Sequence, residues 1–98
     1  MLTFEKVLDA FKDYLAADDM FEVVLTHHGY ALLAWDERAK DWVDINTCPT
    51  PEDLRDALMD GYENCIEYHI TYGKRKLTEA DKATIQEKLQ AMRTQLGE

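Results

Sequence analysis

The chain of 98 residues has the size of one domain, and its 46% hydrophobic and 10% aromatic residues are ordinary for a protein that folds around a core. Its formal net charge of −9 opposes contact with a phosphate backbone or an anionic lipid surface. Charge therefore argues against direct nucleic-acid binding and against membrane association, and length predicts a single domain over residues 1–98.

The chain shows no targeting or membrane-spanning pattern. Its first residues, MLTFEKVLDAF, lack the basic and continuous apolar segments of a secretory signal, and no apolar run is long enough to cross a bilayer. This pattern predicts a cytoplasmic protein. The cysteines, Cys48 and Cys65, form no CxxC motif and are expected to be reduced thiols.

The first predicted element is an amphipathic helix that begins after the capping residue Thr3 and closes within residues 16–19. Its apolar positions follow the i, i+3, i+4, i+7 spacing of one buried stripe. That stripe consists of Phe4, Val7, Leu8, Phe11 and Leu15.

Three short strands are predicted next, over residues 21–26, 30–35 and 42–46. Alternation in the first strand separates Phe21, Val23 and Leu25 from Glu22, Val24 and Thr26. In the third, alternation places Trp42 on the side of Asp44 and Asn46, opposite Val43 and Ile45. The connections are short and polar, which predicts an antiparallel meander.

Two helices follow. Thr50 and Pro51 mark the start of a long helix that we expect to reach Tyr72, with Gly73 supplying a left-handed stop and Gly61 introducing a kink or a close contact. A capping motif at Thr78 begins the last helix, whose predicted buried stripe is Ile85, Leu89, Met92 and Leu96.

The order αβββαα predicts an α+β fold in which a three-stranded antiparallel meander packs against helices, with the last two helices forming an αα-hairpin. Residues 51–73 carry one Arg and six acids, whereas residues 74–97 carry six Lys or Arg and three acids. We therefore expect opposite charges to face each other across this hairpin.

A metal site is the first chemical candidate. The adjacent pair His27 and His28 could join Cys65 and His69, which are four residues apart and share a helix face. Successive residues of a strand point to opposite faces, so the histidine pair would converge on one ion only in a distorted turn. The favoured interpretation is exposed turn histidines, and no metal or other cofactor is predicted.

An enzyme is the second candidate. The chain has no serine, so a nucleophile would have to be Cys48, which lies close to the start of the second helix and could pair with His27 or His28. The four glycines are isolated, which opposes a phosphate-binding loop. The basic run Lys74, Arg75 and Lys76 is interpreted as a complement to the dipole of the preceding helix.

The leading hypothesis is a non-enzymatic protein-interaction or regulatory module, in which one sheet face or the long helix contacts a partner protein or a second copy. It is based on more aromatic residues than a small core requires. The predicted interface residues are Tyr30, Trp35, Trp42, Tyr62, Ile66, Tyr68 and Tyr72. The alternatives are a thiol and histidine enzyme or sensor centred on Cys48, and an acidic nucleic-acid mimic that binds a basic protein.

Overall fold

The computed structural model describes residues 1–98 and confirms the predicted α+β fold with its order α-β-β-β-α-α. The elements are α1 (Phe4–Ala17), β1 (Phe21–Thr26), β2 (Gly29–Asp36), β3 (Asp41–Cys48), α2 (Pro51–Thr71) and α3 (Glu79–Gln95). The strands pair antiparallel in the order β1-β2-β3, so β2 is central and β1 and β3 are the two edges.

Threonine caps begin all three helices. The side chains of Thr3, Thr50 and Thr78 each accept a hydrogen bond from the backbone N–H three residues later. At α3 the cap is reciprocal, because the Asp81 carboxylate accepts from the Thr78 N–H at 2.9 Å while Asp81 N–H donates back at 3.1 Å. These contacts satisfy backbone donors that have no partner within the helix, which is why the helix starts are predictable from the sequence.

The end of α2 differs from the prediction. The helix stops at Thr71, and Tyr72 itself adopts a left-handed conformation with φ of 51° before Gly73 follows with φ of 73°. The Tyr72 N–H donates to the Tyr68 carbonyl. Two successive residues with positive φ therefore turn the chain toward α3.

The helices and the sheet form two layers. Helix α2 packs against β2 and β3, and α1 and α3 pack beside α2. The main core contains Val7, Phe11, Leu32, Leu54 and Leu58, with other buried side chains from the same elements. The molecule measures 42 × 38 × 18 Å, and its smallest extent is that of one sheet covered by one layer of helices.

A second apolar cluster joins α2 to α3. It consists of Ile66, Ile85 and Leu89, and the predicted stripe of α3 is buried throughout. No ion pair joins an acid of α2 to a base of α3. The ion pair that α2 forms at this end of the chain joins a base of α2, Arg55, to the carboxylate of Glu98.

Gly61 occupies the middle of α2, which is unbroken through this position. A Cβ atom built on Gly61 would lie 2.8 Å from the hydroxyl oxygen of Tyr14. Glycine therefore permits the close approach of α1 to α2, and of the two expected roles for Gly61 the structure supports the close contact.

Candidate functional site

One face of the sheet has no helix packed against it, and we call it the open face. The strand register directs Tyr30 and Leu32 toward the helices and leaves Leu33 and Trp35 on the opposite side. The open face comprises Glu22, Val24, Ala31, Leu33, Trp35, Trp42, Val43, Ile45 and Thr47.

A β-bulge gives the open face more apolar surface than alternation predicts. The register shifts between Ala34 and Trp35, so Trp42 opposes Trp35 although Asp44 opposes Ala34. Trp42 therefore joins Val43 and Ile45 on the open face, and its expected place beside Asp44 is wrong. A bulge inserts one unpaired residue, which reverses the facing of every residue beyond it.

Several large apolar side chains of this surface are exposed to solvent. Ile45 is 72% exposed, Val43 55% and Trp42 38%. The rings of Trp35 and Trp42 contact edge to face with centroids 5.0 Å apart, and the indole N–H of Trp35 donates to the Glu37 carboxylate at 2.8 Å. A contiguous apolar patch of this kind typically marks an interaction surface.

Strand β3 forms one edge of the open face, and its side chains are exposed on both faces of the sheet. Every residue from Asp41 to Thr47 is exposed, and only Cys48 at the end of the strand is buried. An edge strand presents unpaired N–H and C=O groups along its outer side. The length and exposure of β3 make it a template for pairing with another strand.

A cleft of about 390 Å³ lies between α2 and the sheet, where residues of β3 and of the two neighbouring strands line it. We call it the edge cleft. Its polar lining consists of Asp44 and Asn46 from β3 and Asp60 and Asn64 from α2, and no Lys, Arg or His lines it. Neither aspartate forms an ion pair. The edge cleft therefore offers carboxylate and amide oxygens without a cationic partner.

The seven residues that the sequence predicts as an interface fall into three places. Trp35 and Trp42 lie on the open face. Tyr68 and Tyr72 are each 59% exposed at the end of α2, and their rings contact each other with centroids 5.9 Å apart. Tyr30 and Tyr62 are half-buried against the main core, and Ile66 is buried.

Contacts with the core account for the burial of these three residues. Tyr30 contacts Phe4 of α1 at 4.9 Å between ring centroids, and Tyr62 contacts Phe11 at 6.2 Å. Ile66 is 7% exposed within the α2 and α3 cluster. Sequence reasoning missed Ile45 and Val43, whose exposure follows from the absence of a covering helix, and periodicity carries no signal for that.

The metal candidates do not assemble. His27 and His28 occupy the exposed turn between β1 and β2, while Cys65 and His69 lie on α2. No group of three His, Cys, Asp or Glu side chains is placed to hold a metal ion.

Cys48 is 1% exposed and packs in the main core. Burial raises the pKa of its thiol, with a further contribution from the charge of Asp53, and so disfavours the thiolate. Because the thiolate is the reactive form of cysteine, this setting opposes the thiol-enzyme alternative.

A concavity of about 810 Å³ lies among the three helices. Its rim carries Asp13, His69, Lys88 and Gln95, and its floor is apolar. Tyr14 lines it, but the Tyr14 hydroxyl is fully buried toward Gly61 without a hydrogen-bond partner. The groove thus presents charges of both signs and no convergent set of polar groups that would define a ligand.

None of the three helices combines the length and apolar character that a membrane crossing requires. Comparisons of the chain with protein-family models, with curated proteins and with solved structures gave no match.

Proposed function

We propose that this protein is a non-enzymatic protein-interaction module whose binding surface is the open face together with the edge strand β3. The observation that carries the proposal is the exposure of Val43 and Ile45 beside Trp42 on a sheet face that no helix covers. Folding gains little from these side chains while they remain in water, so their burial is available to association.

The chemistry elsewhere in the molecule supports binding over catalysis. The candidate nucleophile Cys48 is buried with a raised pKa, and the histidines stand apart from any cluster of metal-binding groups. Interfaces of this kind are enriched in aromatic side chains at their centre and carry polar groups at the rim. Here Trp35 and Trp42 lie beside the polar turn of residues 37–40.

Site-specific photo-crosslinking tests the proposal. Benzoylphenylalanine replaces Ile45 in one variant and the exposed Gln86 of α3 in another, and each variant is irradiated in the cells that naturally make the protein. We expect an adduct of defined mass from position 45 and none from position 86. A product of twice the chain mass would identify a second copy as the partner.

A companion substitution shows whether the adduct depends on the open face. Val43→Glu places a charge beside Ile45 at a position that is 55% exposed, so the fold is retained and circular dichroism verifies this. The adduct should disappear in this variant. Equal labelling from positions 45 and 86, or none from position 45, would overturn the proposed function.

A further inference from the structure

Resting on the proposed function, we further propose that the partner presents an extended segment in which Lys or Arg alternates with apolar residues. This segment adds to β3 as a fourth strand. Its basic side chains enter the edge cleft at Asp44 and Asp60, and its apolar side chains extend the open face beside Ile45.

The backbone of β3 supports strand addition. The strand is last in the sheet order, and its residues from Asp41 to Thr47 are exposed. In strand addition, main-chain hydrogen bonds supply affinity, and the side chains on alternate positions supply specificity. The bulge near Trp42 disrupts one end of β3, so regular pairing is confined to residues 44–48.

The two sides of β3 require different side chains from an added strand. Asp44 and Asn46 share the inner face with Leu32 and line the edge cleft, and Ile45, which also borders the cleft, belongs by register to the open face. Neighbouring strands in register place their side chains in rows on each face. An added strand would therefore set one row against Ile45 and the alternate row at the mouth of the cleft.

The carboxylates of the edge cleft favour a partner segment whose cleft-facing side chains are basic. Asp44 and Asp60 come from two different elements, and no cation lines the cleft between them. Carboxylates bind ammonium and guanidinium groups through strong charge-assisted hydrogen bonds, and Asn46 and Asn64 add further acceptors. A second copy would instead bring another Asp44 toward this cleft on a chain of net charge −9, so charge favours a foreign segment.

The probe is a fluorescently labelled synthetic peptide of the length of β3, 8 residues, in which lysine alternates with valine and both ends are blocked. Its binding to the full chain is measured by fluorescence anisotropy. Two control peptides replace lysine with glutamate, or carry an N-methyl group on every backbone amide so that neither edge can donate. We expect both controls to bind at least about tenfold more weakly, because the first reverses the charge and the second blocks strand pairing.

Matched protein variants locate the contact. Asp44→Asn with Asp60→Asn should weaken binding of the lysine–valine peptide about tenfold, as the loss of two exposed ion pairs allows. Asp9→Asn with Glu87→Gln removes the same number of charges from exposed positions on α1 and α3 and should leave the affinity within about twofold.

The outcomes separate the two proposals. Equal weakening by both double variants would reduce the effect to overall charge and overturn the inference, as would tight binding of the N-methylated peptide. If the lysine–valine peptide fails to bind while crosslinking at position 45 persists, the partner chemistry is wrong and the proposed function stands. Failure of both experiments would overturn both.

Discussion

At the scale of single residues, the hydroxyl of Tyr14 in α1 occupies the space beside Gly61 of α2 that a side chain would need. Tyr14 is 8% exposed, and burial, followed by the proximity of the Asp18 carboxylate, raises the pKa of its hydroxyl. The hydroxyl has no hydrogen-bond partner, so its removal sacrifices little. The contact nevertheless sets how near the two helices approach.

Gly61→Ala should therefore destabilise the protein. Its Cβ would lie 2.8 Å from the Tyr14 hydroxyl oxygen, and overpacking of this kind lowers the free energy of unfolding by about 1–3 kcal/mol. In a Tyr14→Phe background the same substitution should instead stabilise by up to about 1 kcal/mol, because alanine favours a helix over glycine. Urea unfolding followed by circular dichroism measures both effects.

The double variant makes this prediction specific. With the hydroxyl removed, the next atom of the ring lies 3.8 Å from the added methyl group, which is an ordinary contact. If Gly61→Ala destabilised equally in both backgrounds, the hydroxyl contact would not be its cause. A Gly61→Ala effect that is destabilising with Tyr14 and stabilising in the Tyr14→Phe background would identify the hydroxyl contact as the cause.

At the scale of elements, the reciprocal cap of α3 should make the stability of the fold depend on pH in the acid range. A hydrogen bond from Arg75 at 2.6 Å, followed by the backbone N–H of Thr78, lowers the pKa of Asp81 from 3.8 to about 2. Because the pKa of Asp81 is lower in the folded chain than in the unfolded chain, the ionised carboxylate stabilises the fold. This stabilisation is complete above about pH 4 and is lost as the pH falls through about 2.

Asp81→Asn should consequently lower the melting temperature at pH 7 and flatten its decline between about pH 4 and pH 2. Thermal unfolding by circular dichroism across this range gives both slopes. Glu79→Gln is the control, because Glu79 lies in the same first turn but outside the reciprocal cap. If the melting temperatures of the native chain and the Asp81 variant declined in parallel as the pH fell, the stabilising role of the Asp81 carboxylate would be contradicted.

Two apolar residues of the sheet should differ sharply in what they contribute to folding. Leu32→Ala removes a side chain that is 7% exposed and should cost about 2–5 kcal/mol of unfolding free energy. Ile45→Thr alters one that is 72% exposed and should change it by less than about 0.5 kcal/mol. Chemical denaturation compares the two variants. A large loss of unfolding free energy from Ile45→Thr would mean that the open face stabilises the fold.

The elements were largely predictable from the chain because their signals are local. Threonine caps, Pro51 and strict alternation in β1 act within a few residues of the structure they specify. The bulge at Trp42 depends on pairing with a different strand, and alternation within β3 contains no record of it. The separation of Tyr62 and Ile66 from Tyr68 likewise depends on where α1 and α3 lie around α2.

At the scale of the whole molecule, charge and the open face act against each other in self-association. Two copies that each carry a net charge of −9 repel at neutral pH, while their exposed apolar faces attract. Light scattering at pH 7.5 and low salt should therefore give the mass of one chain, 11.4 kDa. At about 1 M salt, where the screening length falls to about 3 Å, the mean mass should rise.

The rise should depend on the open face. Ile45→Glu should suppress it, whereas Gln86→Glu, which adds the same charge on α3, should not. A stable dimer at low salt that Ile45→Glu leaves intact would assign self-association to another surface, with the exposed Tyr68 and Tyr72 as the next candidate.

Both tryptophans of the chain lie on the open face, where Trp35 and Trp42 contact each other. Tryptophan emission shifts to shorter wavelength when its surroundings lose water, and no other part of this molecule contributes to that signal. The protein thus carries an optical reporter at its proposed binding surface. Any molecule that covers this face can be followed by native fluorescence, without a label and before that molecule has been identified.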